Sequence, residues 1–366
     1  MAIVAVMIYH LEWSLPEQLE PVANLGWMGV ELFFVLSGYL IGSQLLKPHA
    51  RGETPDLWEF YRRRAYRILP AYLFVVLLYF AVPVWREAEG ISPVWQFLTF
   101  TENLFVDFPA HRAFSHAWSL CVEEHFYLVL PLLVLWRMKR PSAWKTVALI
   151  GSFVLFGIGS RWFELMHAVR VSGLSDQQVG SMFMERIYYP TYSRLDGLLI
   201  GVTLAVIRIF RPTWWAAVTQ RGNTLLALGV CLTAAAIWIF KGDYPSPDDT
   251  FAILFGFPIL SLGLGFVVAS ATCAKGLLNT RIPGAQLLAT LAFSLYLTHK
   301  EIAHLDRLYL PWMNDNRGWL VAVIYAVSCI AAANLLYGCI ELPFLRLRDR
   351  RAKVTTEEIV LAESAL

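Results

Sequence analysis

Charge is scarce in this sequence. Asp, Glu, Lys and Arg make up 16% of its 366 residues, against about 25% in ordinary soluble domains. The five cysteines, Cys121, Cys231, Cys273, Cys329 and Cys339, stand apart with no CxxC pair and no metal-ligand spacing, so they imply neither a disulfide framework nor a metal site. No Walker A run and no GxGxxG occurs, which excludes the ordinary nucleotide folds. Internal repeats and Gly/Ser linkers are missing, which predicts one domain. The N-terminus has no basic n-region and no small-residue cleavage site, so no cleavable signal peptide is expected.

Apolar side chains are abundant instead, at 57% of the chain, with 14 Trp, 15 Tyr and 23 Phe among them. Such a composition belongs to a multi-span membrane protein. Runs of roughly twenty apolar residues bounded by charge and Pro/Gly punctuation predict an all-α, polytopic membrane helix bundle of about ten transmembrane helices. They fall near residues 1–11, 26–46, 69–85, 117–136, 146–163, 190–208, 222–240, 251–271, 284–302 and 318–341. The segments 47–68, 137–145, 209–221, 272–283 and 342–366 hold twenty Lys and Arg, counting the junction residue Arg208, while the opposite side holds nine. The positive-inside rule then places the basic segments and both termini in the cytoplasm, as expected for a multi-pass protein of the inner (plasma) membrane. Residues 1–345 read as a membrane-embedded domain and 346–366 as a basic, then polar, cytoplasmic tail. The outer segment 86–116 is aromatic ("PVWQFLTFTENLF") and is expected to fold back against the membrane. The basic residues follow membrane side instead of forming a patch for phosphate backbones, so no nucleic-acid partner is expected. The lipid bilayer is one partner, and oligomeric state is not legible.

The informative charges are those inside the spans. His10 ends the first span, Glu31 lies in the outer half of the second, and Glu123 and Glu124 sit early in the fourth. Arg194 and Asp196 begin the sixth span and His299 closes the ninth. A charge in hydrocarbon costs at least ~2.5–3.5 kcal/mol, so these groups, drawn from five spans and all in the outer half, are expected to gather around a cavity. In "HAWSLCVEEHFYL", His116, Leu120, Glu123 and Tyr127 share one helical stripe. Arg194 and Asp196 are two residues apart and cannot neutralise each other, so Arg194 needs a carboxylate from another span, Glu31 or Glu123. Bland readings accompany each. A buried Glu–Arg pair serves equally as a packing clamp, a histidine at a span end as an interfacial residue, and Asp196 as a helix cap.

At the cytoplasmic mouth of the third span, "WEFYRRRAYRILPAY" concentrates Arg62, Arg63, Arg64 and Arg67 between aromatics, with Arg63 and Arg67 on one helical face. Such a cluster clamps a polyphosphate or anchors the protein on anionic lipid.

Six stretches together resemble one family. "YH" closing the first span, "GVELFFVLSGYLI", "FYRRRAYRILPAY", "HAWSLCVEEHFYL", "SRLDGLLIGV" and "FSLYLTHKEI" resemble, in order, the signature segments of the acyltransferase 3 family of integral membrane proteins. The resemblance implies an acyl-CoA-dependent O-acyltransferase that takes an acyl group, usually acetyl, from cytoplasmic coenzyme A to a hydroxyl of a sugar, glycan or related acceptor. Acyl-CoA is then a donor substrate, and no tightly bound cofactor or metal is implied. By the same resemblance His10, Glu123, Arg194 and Asp196 are catalytic, and Arg63, Arg64 and Arg67 bind the donor. Glu31, His116, Tyr127 and His299 are assigned to the substrate site. Two departures stand out. Family members carry an arginine about eleven residues before the histidine, and the eleven residues before Glu12 span only ~16 Å of a ~30 Å core, so the first span is expected to be truncated. The glutamine common after the paired carboxylates is His125 here. The family's fused SGNH domain is also missing, so any periplasmic partner for acceptor loading is expected to be a separate protein.

The chemistry expected of this set is general-base catalysis by His10 on the acceptor hydroxyl. Glu123 would orient His10, or another imidazole such as His116, while Arg194 steadies an oxyanion or holds Glu31 and Glu123. Cys121 would carry a covalent route. The alternative function is a transporter or flippase of a polar or glycan substrate, whose path would also be lined by intramembrane charge.

Overall fold

A computed structural model describes residues 1–11, 14–139, 142–171, 173–242, 245–280 and 282–350. Helix accounts for 78% of it, and no strand forms among the described residues, so the fold is all-α as the apolar runs predict. The principal helices, in chain order, are α1 (Ala2–His10), α2 (Met28–Ala50), α3 (Leu57–Ala81), α4 (Ala117–Met138), α5 (Ala143–Glu164), α6 (Asp196–Phe210), α7 (Pro212–Thr219), α8 (Gly222–Ile239), α9 (Phe257–Ala271), α10 (Ala285–Tyr309) and α11 (Trp319–Leu336).

Among the described residues, seven helices are long and apolar enough to cross a membrane, or eight if α6 and α7, bent by 110° at their junction, count as one span. The expectation of ten was therefore approximate. The nine residues of α1 reach only ~14 Å, and α10 carries His299, Lys300 and Glu301 in its second half. The third helix also begins well before the predicted 69–85. Asp56 caps it by accepting from the Glu59 amide at 3.0 Å, and Glu59 pairs with Arg62 and Arg63 one turn on. These local contacts extend the helix through the arginine cluster. In the other direction, the sixth span starts at Asp196 instead of 190, because Pro190 and a short 3₁₀ turn at Thr191–Ser193 come before it.

The chain divides into two compact units, one of Met1–Pro55 with Ala88–Ala285, the other of Asp56–Glu87 with the residues from Gln286 onward. In the first unit α2 and α6 pack at very short range. A Cβ on Gly38 would collide with the Leu198 carbonyl, and one on Gly201 with the Val35 carbonyl. Only glycine permits this approach, the small-residue packing typical of helices in lipid. The outer segment folds onto this unit, burying Gln96, Phe97, Glu102, Asn103 and Phe114. In the second unit α3, α10 and α11 bury Tyr72, Tyr79, Leu295, Glu301 and Tyr325. Beyond α11 the chain makes one wide turn at Tyr337–Glu341 and stays helical to Arg350. The rest of the predicted tail, residues 351–366, lies outside the described residues.

Candidate functional site

Close packing of α2 on α6 sets the first feature of the site. Glu31 on α2 meets Arg194, which sits just ahead of α6, in a salt bridge whose partners are 2% and 1% exposed. Of the two carboxylates considered for Arg194, Glu31 is the partner. The guanidinium is also boxed by rings, lying 4.0 Å from the centroid of Phe257, 4.4 Å from Tyr188 and 5.4 Å from Trp118. Cation–π attraction of this kind strengthens when desolvated, so the aromatic box lowers the cost of a charge that has left water.

Asp196 does not cap α6 with its side chain. Its carboxylate takes a two-pronged contact from Arg161, with Nη1 donating to Oδ2 at 2.6 Å and Nη2 to Oδ1 at 3.4 Å. Arg161 is fully buried and also donates to the Ser193 carbonyl at 2.7 Å and the Leu254 carbonyl at 3.3 Å. The sequence reading missed this arginine because it counted Arg161 with the outer-side charges. Its place in the last turn of an apolar helix, "GIGSRWFE", was the signal available. Glu31, Arg194, Asp196 and Arg161 thus supply two carboxylates and two guanidiniums, and the buried set is balanced in charge.

Glu123 belongs to a second cluster. Ser37 of α2 donates to its Oε1 at 2.7 Å and Tyr127, one turn along α4, to its Oε2 at 2.8 Å. The predicted stripe of Glu123 and Tyr127 is thereby realised, and Ser37 joins it from another helix. His116 precedes the first turn of α4, buried, its ring edge-on to Phe114 at 5.1 Å.

His10 ends α1, and its Nδ1 lies 2.9 Å from the Val6 carbonyl. A carbonyl only accepts, so Nδ1 carries the proton and the basic lone pair is on Nε2.

The remaining predicted residues lie in the second unit. His299 is fully buried, and its Nδ1 lies 2.9 Å from the Tyr296 carbonyl. Arg63 is held by Glu59. Arg67 lies 4.0 Å from the buried carboxylate of Glu341, which accepts from Ser294 at 2.9 Å. Arg64 shares the first turns of α3 with them. The sequence reading also missed a polar set in this unit: the Tyr79 hydroxyl touches the carboxylates of Glu301 and Glu87, and Lys300 pairs with Glu87 at 3.1 Å.

Residues 1–338 match the family described as an acyltransferase domain. The chain belongs to the acyltransferase 3 family. Among curated proteins it is 27% identical over 372 residues to the O-acetyltransferase OatA of Staphylococcus aureus strain NCTC 8325, an alignment covering 93% of this chain and 55% of that protein. It is 25% identical to the peptidoglycan O-acetyltransferase OatA of Listeria monocytogenes, over 94% of this chain and 54% of the relative. The chain therefore spans about half the length of the curated relatives it matches. No solved structure matches it. In this acyltransferase domain, several segments that carry the resemblance supply buried polar contacts. The "GVELFFVLSGYLI" stretch provides Glu31 and Ser37, the "WSLCVEEHFYL" stretch Glu123 and Tyr127, and "SRLDGLLIGV" Arg194 and Asp196.

Proposed function

We propose that this acyltransferase moves an acetyl or related acyl group from an acyl-CoA thioester to a sugar hydroxyl, with peptidoglycan glycan as the acceptor class. Family membership supports the reaction type, and the name of the Listeria monocytogenes relative supports the acceptor. The observation that carries the mechanism is the 2.9 Å contact of His10 Nδ1 with the Val6 carbonyl. Nε2 takes the hydroxyl proton as the acceptor oxygen attacks the thioester carbonyl. The C–S bond then breaks, the new C–O ester remains, and the imidazolium returns its proton to the departing thiolate. Arg194 serves by holding Glu31, consistent with its dry aromatic box. Glu123 ties α4 to α2 through Ser37. Arg63, Arg64 and Arg67 take the donor phosphates, for which guanidinium forks are suited.

This activity is placed in the cytoplasmic (inner) membrane with both termini inside, on the strength of twenty Lys and Arg against nine. Purified protein incubated with acetyl-labelled acetyl-CoA and de-O-acetylated peptidoglycan fragments tests the proposal. Base-labile label on the glycan is the expected result. Label that stays on CoA, with protein that remains folded, overturns it.

A further inference from the structure

One polar group in the first unit takes no part in the scheme above. His125 lies two residues past Glu123 on α4, about 200° round the helix, and so faces away from the Ser37 contact. Its Nδ1 is 2.7 Å from the Thr191 hydroxyl. That hydroxyl accepts from the Asn103 amide at 2.8 Å, and the same amide donates to the Tyr189 carbonyl at 3.2 Å. Because the Tyr189 carbonyl only accepts, the orientation of the Asn103 amide is settled. Asn103, Thr191 and His125 thus form one continuous run of polar contacts.

These contacts complete a triangle. Glu31–Arg194 joins α2 to the entry of α6, and Ser37–Glu123 joins α2 to α4. His125–Thr191 joins α4 to the segment that delivers Arg194 and Asp196. We propose that His125 is a positioning residue for acyl transfer, the third side of this triangle, which locks the Thr191–Arg194 segment to the helix carrying Glu123. The inference rests on the acyl-transfer reading for its kinetic consequence and on geometry alone for the lock.

The chemistry the lock requires is a hydrogen-bonding group facing the Thr191 hydroxyl. A glutamine side chain supplies one, and leucine does not. In acetyl transfer from labelled acetyl-CoA, H125L and T191V should each lower kcat about tenfold with KM for acetyl-CoA nearly unchanged, as for a misplaced catalytic group. The double variant should lose less than the product of the two single losses, because both remove the His125–Thr191 contact, while T191V also ends the one to Asn103. H125Q and T191S should retain most of the wild-type rate. Losses that multiply, or an H125Q as impaired as H125L, would overturn the proposal. Amide hydrogen exchange over 190–195 in the purified full chain reads the lock without activity. Faster exchange in H125L but not in H125Q is expected, and exchange unaltered in H125L overturns the lock even if no acetyl is transferred. Wild-type protein that shows the exchange pattern without transfer refutes the acyl-transfer reading and leaves the lock standing.

Discussion

Burying Arg194 and Arg161 is costly, and the molecule meets the cost by pairing each with a carboxylate and capping one with rings. Removing one partner leaves the other charge buried alone, which typically costs about 3–5 kcal/mol. E31A and R194A should each lower the thermal midpoint in detergent, read by fluorescence-detected size exclusion, and the double variant should lose less than the sum. His10 touches the Val6 carbonyl and the Tyr9 ring, and the same midpoint shows whether H10A stays folded. Acetyl transfer should fall at least ~10²-fold, the usual scale for losing a general base. An unchanged rate in folded H10A would remove the histidine from the mechanism. The requirement for a carboxylate opposite Arg194 was readable from the two-residue spacing to Asp196. The partner of Asp196 was not, because a contact across 35 residues leaves no periodic trace in one sequence.

Among the elements, α2 and α6 decide where the charges meet. Their approach depends on Gly38 and Gly201, where an added Cβ would strike backbone. G201V should therefore lower the thermal midpoint sharply, with overpacking of about 1–3 kcal/mol or more. G151V, on the open side of α5 where nothing lies within 4 Å, should change it little. Equal effects of the two substitutions would argue against the packing account. Helix positions followed apolar runs well for α4, α5 and α8, whose ends lie within three residues of the prediction. They failed where polar contacts governed the boundary. Asp56 and Glu59 start α3 early, and Pro190 delays α6.

For the molecule as a whole, twenty basic residues against nine predict its topology. Single cysteines placed in 47–56 on a background with the five native cysteines replaced should resist an impermeant thiol reagent in intact cells, and cysteines in 105–112 should react. The reverse pattern would invert every assignment of side.

The sequence by itself determined that the chain is helical, apolar and multi-spanning, and its signature segments carried its family. Partition into lipid is a nearly additive property of composition over about twenty residues, so one dimension suffices to read it. The tertiary structure alone decided that Arg194 takes Glu31, that Arg161 takes Asp196, that Ser37 reaches Glu123 and that His125 grips Thr191. Each of those pairings depends on the depth and rotation of one helix against another, and these are set by side-chain volume at the contact, down to a hydrogen in place of a methyl group at Gly38 and Gly201.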